Sequence, residues 1–166
     1  AVPQIYIETQ VEKKMLTQLL ILIYLSFISL GLPDSLLGSA WPAMRVSLSA
    51  PVSYAGIVSM IVSCGTIVSS MMSARLLRRF GTGLLTAVSV GLTAAALAGF
   101  AASRSFWLLC VLAVPLGLGA GAVDAGLNNF VALHYAARHM NWLHCFWGIG
   151  ATCGPLILQK QCSQFM

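Results

Sequence analysis

Residues 106–130 read FWLLCVLAVPLGLGAGAVDAGLNNF, with a single charge, Asp124, in the whole stretch. A bilayer core is crossed by about 20 largely apolar residues at a rise of about 1.5 Å each. This run is long and apolar enough to cross. It also carries an acid that lipid cannot solvate. Outward from it, similar runs cover about 15–37, 54–74, 83–102 and 140–158, giving five expected spans. Residues 1–14, with Glu8, Glu12, Lys13 and Lys14, are polar enough to stay outside the bilayer, and 159–166 form a short polar tail. The connections are expected at 38–53, with Pro42, Arg45 and Pro51, at Arg75 to Gly81, at 103–105 and at 134–139.

Composition supports this reading. Of 166 residues, 58% are hydrophobic and 8% are charged, and mean hydropathy is +0.88. A soluble domain carries about 25% charged residues because its water-facing shell needs them. Such a chain argues against a soluble enzyme, a disordered segment or a nucleic-acid binder. The net charge of +5 gives no basic face with interleaved aromatics; only Arg75, Arg78 and Arg79 cluster. The five cysteines are odd in number and form no CxxC pair, so they read as packing residues rather than a disulfide or metal framework. Nothing calls for a cofactor other than a coupling ion, proton or sodium.

Lys and Arg counts predict orientation. With the N-terminus cytoplasmic, Lys13, Lys14, Arg75, Arg78, Arg79 and Arg138 fall inside, against Arg45, Arg104 and Lys160 outside. The expected location is the plasma membrane.

Two acids lie within the spans, Asp34 and Asp124. An acid at bilayer centre costs about 2.5–3.5 kcal/mol on insertion scales, and such residues face a bundle interior or a wet cavity. Helical spacing puts Phe27, Gly31, Asp34 and Gly38 in one arc, with Trp41 extending it. Gly117, Gly121, Asp124, Asn128 and Tyr135 share a face of the fourth span, and Asn141, His144, Gly148 and Pro155 line up on the fifth run. A wall of acid, amide and aromatic suits a sugar or similar small polar solute, whose hydroxyls need carboxylate and amide partners. A packing seam explains the glycines but not the acids. Gly117/Gly121 and Gly150/Gly154 are small-xxx-small pairs suited to helix packing, with Pro155 beside the second. Trp142 and Trp147 suit either interfacial anchoring or stacking.

Three segments in order resemble the major facilitator superfamily, and within it the fucose–proton symporters. They are Gly31-Leu-Pro-Asp34-Ser-Leu-Leu; Gly119-Ala-Gly121-Ala-Val-Asp124-Ala-Gly-Leu-Asn128-Asn129-Phe130; and Asn141-Trp-Leu-His144-Cys-Phe-Trp-Gly148-Ile-Gly150-Ala-Thr-Cys-Gly154-Pro155. The resemblance covers about 15–158. It implies an all-α integral membrane protein, the first five helices of a six-helix N-terminal bundle, with a second bundle absent from this chain. It also implies that Asp34 and Asp124 match carboxylates that bind proton and sugar, and that His144 and Asn128 line the same site. One departure stands out. The family's loop after the second helix carries an Asp that the segment around Arg75, Arg78, Arg79 and Gly81 lacks, so no acid–base latch is implied there.

The expected function is therefore that of the N-terminal part of a secondary active transporter, a proton-coupled symporter of a small polar solute. Its expected partners are the bilayer, that solute and the second bundle, with no nucleic acid. Because the chain starts at Ala1 and stops just past the fifth run, it reads as a fragment. Two alternatives remain open from sequence: a membrane fragment active only in helix association, and an intramembrane aspartyl hydrolase built on Asp34 and Asp124.

Overall fold

In lipid no water can pair backbone N–H and C=O groups, so a spanning chain satisfies them internally as helix. The computed structural model describes residues 2–164, with side chains described from Lys14 to Lys160 apart from Ser47 and Leu158. Four helices follow in order: α1 Val2–Ser47, α2 Tyr54–Ala102, α3 Phe106–His134 and α4 Arg138–Gln164. Serine and threonine hydroxyls inside them bond back to the preceding turn, as Ser39 does to the Ser35 carbonyl at 2.7 Å and Thr93 to that of Ser89 at 2.9 Å. Those hydroxyls need no water.

Five separate spans were expected, and the described chain has four helices, one of which, α2, is interrupted within its length. One boundary is shifted, and one connection is shorter than a loop. The connection expected over 38–53 is helical as far as Ser47, and Pro42 lies inside α1. The arginine segment expected as a loop is helical through Phe80 and is interrupted only at Gly81, with φ 75° and ψ 163°. That conformation is essentially confined to glycine. One residue therefore turns the chain, and the two parts of α2, 54–80 and 82–102, are joined at a kink. Among the described residues, three helical stretches are long and apolar enough to cross a membrane: Lys14–Val46, Tyr54–Ala102 and Phe106–His134. Helix α4, diluted by Asn141, His144, Thr152 and several glycines, is not in that set. Four helices, one of them kinked into two parts, do not by themselves establish the expected five helices of a six-helix bundle.

Packing divides the helices into two pairs. Helix α1 lies chiefly against α4, and α2 chiefly against α3. Glycines set both contacts. A Cβ on Gly150 would meet the Ile28 carbonyl, and one on Gly31 would meet that of Trp147, so α1 and α4 approach backbone to backbone. Gly154 abuts Ser35 on the same seam. In the other pair Gly117 and Gly121 lie on the carbonyls of Val62 and Thr66, while Gly119 faces Ser89 and Thr93. Thus both parts of α2 flank α3. Hydroxyls bridge this second seam: Ser69 donates to the Leu118 carbonyl at 2.6 Å, and Thr66 to that of Gly117 at 3.3 Å. In membrane interiors such bonds contribute about 0.6 kcal/mol each.

Two apolar clusters close opposite ends of the assembly. One gathers Trp41, Val58, Phe100, Leu109 and Leu116. The other gathers Ile23, Phe27, Leu30, Val123, Leu127, Val131 and Leu143. The polar side chains of the interior lie between them.

Candidate functional site: a polar cavity between two helix pairs

A cavity of about 300 Å³ is lined by Leu30 and Asp34 of α1, Thr66 of α2, Ala120 and Asp124 of α3, and His144 and Trp147 of α4. All four helices contribute. A neighbouring cavity of about 310 Å³ shares Asp34, Ala120 and Trp147 and adds Ser59 and Ser63 of α2. Both lie where the α1–α4 pair meets the α2–α3 pair. Small residues keep this space open: Ala120 presents only a methyl group to it.

Each acid is held by a neighbour. The Trp147 indole Nε1–H donates to Asp34 Oδ2 at 3.1 Å, a bond between α4 and α1. Asn128 Nδ2 donates to Asp124 Oδ1 at 3.0 Å from one turn further along α3. The Asn128 Oδ1 atom is buried and has no hydrogen-bond partner. Asp34 is exposed to the cavity and Asp124 half-buried. His144 and Trp147, three residues apart on α4, stand beside both acids. No hydrogen bond joins the two carboxylates among the described residues. The arrangement offers two carboxylates, an imidazole and three hydroxyls around a space that fits a small polar molecule. It has the groups to accept hydrogen bonds from hydroxyls and to exchange a proton.

Of the residues singled out from sequence, Asp34, Asp124 and His144 meet in the cavity, and Asn128 stands behind Asp124. Phe27 is buried beneath the site, edge-on to the His144 ring at 6.4 Å between centroids. Tyr135 lies elsewhere. It is in the connection between α3 and α4, and its hydroxyl donates to the Leu16 carbonyl at 2.7 Å. Close by, the Tyr24 hydroxyl is 2.8 Å from His139 Nδ1, so two tyrosines tie α1 to the α3–α4 turn. Gly38 and Gly148 have open space beside them, and Trp41 is buried in an apolar cluster away from the cavity. Arg75, Arg78, Arg79 and Gly81 take no part in the cavity. Pro155 lies inside α4, next to Gly154 of the α1 seam.

Sequence reasoning missed the α2 wall. Ser59, Ser63 and Thr66 recur at i, i+4 and i+7, the spacing of one helical face. It also read Trp147 as an interfacial anchor or a stacking platform, where the structure makes it a hydrogen-bond donor to Asp34. The signal for the α2 wall was a polar stripe on an otherwise apolar span.

Comparison with known proteins bears on what this cavity serves. Residues 23–159 match the Major Facilitator Superfamily. The chain is 30% identical over 125 residues to synaptic vesicle glycoprotein 2C of Rattus norvegicus, an alignment that takes in 72% of this chain and 17% of that protein. The chain thus spans about a sixth of the length of that curated relative. No solved structure matches the chain significantly.

Proposed function

The chain belongs to the major facilitator superfamily, and we propose that it supplies one wall of the solute pathway in a proton-coupled symporter of a sugar or similar small polar solute. Its apolar helices and its family make it an integral membrane protein. The family is one of transporters, which favours solute movement over hydrolysis. The observation that carries the finer reading is the shared cavity: both membrane acids line it, and a donor from another residue steadies each one.

Alternating access moves two bundles around a midplane site. In this reading the wall described here faces a second bundle across the solute. Desolvation disfavours the charged form of a carboxylate, so a cavity acid loads a proton when open to one side and releases it when open to the other. Asp124 carries the coupling proton, with Asn128 orienting its carboxylate and His144 beside it. Asp34, held by Trp147, accepts solute hydroxyls. The N-terminus is cytoplasmic and the membrane is the plasma membrane in this proposal.

The test is solute uptake into liposomes holding the transporter that bears this chain, driven by an imposed proton gradient. Asp124→Asn is expected to abolish gradient-driven accumulation while leaving downhill exchange of solute. Undiminished proton-driven uptake by the variant removes the coupling role.

A further inference from the structure

Arg75, Arg78 and Arg79 close the first part of α2, and the solute pathway uses none of them. At 100° per residue the three fall within one arc of about 100° on the helix surface. All three are exposed. Counting from Tyr54, the 54–74 stretch is about 30 Å long, one hydrocarbon thickness, so the guanidinium groups reach the headgroup plane. The non-helical Gly81 directly beyond them sends the chain back, and the equally long 82–102 stretch returns across. Exposed Phe80, beneath the Arg79 guanidinium at 5.6 Å from the ring centroid, marks the same boundary. No ion pair among the described residues reaches these arginines. The only acids with described side chains, Asp34 and Asp124, line the cavity.

We propose that Arg75, Arg78 and Arg79 form a binding site for the phosphodiester of an anionic phospholipid. Guanidinium groups match phosphate oxygens in bidentate geometry. Three of them on one arc, at headgroup depth and with no acid beside them among the described residues, select a lipid carrying net negative charge over a zwitterionic one. The solute reading can fail without touching this claim, because the site lies outside the cavity.

The experiment places the chain in nanodiscs of phosphatidylcholine containing one part in five of phosphatidylglycerol and counts co-retained lipids by native mass spectrometry. The wild-type chain is expected to retain phosphatidylglycerol preferentially, each arginine adding roughly fivefold near an anionic surface. The triple variant R75Q/R78Q/R79Q should fall to the nanodisc ratio, R75K/R78K/R79K should keep part of the preference, and R104Q, at the other end of the bundle, should keep it all. Single Arg→Gln variants, each expected to lose a share, give the same readout if the triple variant does not insert. Equal retention of both lipids by the wild-type chain overturns the proposal. So does a triple variant that matches wild type, or displacement of the lipid by millimolar inorganic phosphate, which would assign the site to a soluble anion.

Discussion

Asp34 and Asp124 are the residues on which the account turns, and what separates them from ordinary polar contacts is the company each keeps. Trp147 reaches across from α4 to donate one hydrogen bond to Asp34. A bond to a charged group contributes about 1.5–3 kcal/mol, and about 1.4 kcal/mol is tenfold in an equilibrium. Trp147→Phe keeps the ring and removes the donor, so apparent solute affinity in an uptake assay should weaken by about tenfold with little change in maximal rate. Leu at 147 would remove the ring as well and should cost more. Asn128→Ala removes the donor to Asp124 and should alter the proton dependence of uptake, leaving solute affinity near wild type. A shift in solute affinity alone would show that Asn128 serves the solute instead.

At the scale of elements, glycines decide where helices meet and where one ends. The i, i+4 pairs Gly117/Gly121 and Gly150/Gly154 were legible as small-residue spacings before any coordinates, although spacing could not say which helix each would touch. The structure puts the first pair on α2 and the second on α1. Gly150→Leu would drive a side chain into the Ile28 backbone, and overpacking of this kind costs about 1–3 kcal/mol. Its melting temperature in detergent should fall, whereas Gly148→Ala, with open space beside it, should leave stability unchanged. Gly81→Val should also destabilise, by about 1–3 kcal/mol, since a β-branched residue resists a positive φ in the extended region. The sequence could not reveal that Gly81 alone would make the turn. Arg78, Arg79 and Phe80 are sound helix residues, and a loop was inferred from charge, which reports distance from lipid rather than backbone shape. The extent of α1 was missed for a related reason: Pro42 suggested a break, yet proline is tolerated inside a membrane helix when neighbours satisfy the freed carbonyl.

For the whole molecule, the division into α1–α4 and α2–α3 is what creates the site. Periodicity placed each acid on a polar face. Helical spacing alone does not say whether the two acids stand at one depth. The two acids line one cavity together with His144 and Trp147, a turn apart on α4. That relation is tertiary and no local pattern encodes it. The pairs touch each other lightly compared with the contact within each. Spin labels on α1 and α4 should therefore report a narrow distance distribution, and labels on α1 and α2 a broader one, by pulsed electron resonance in nanodiscs. Equal widths would show one rigid block.

Water access to the two acids tests the central claim most directly. In a variant with its cysteines replaced by alanine, Asp34→Cys and Asp124→Cys would be exposed in liposomes to a charged, water-soluble thiol reagent and to a lipid-soluble maleimide. Both positions should react with the charged reagent, faster than Cys introduced at Val111, which is exposed on the outside of α3. Protection from the charged reagent at both positions, with ready labelling from the lipid phase, would contradict an interior aqueous cavity shared by the two carboxylates.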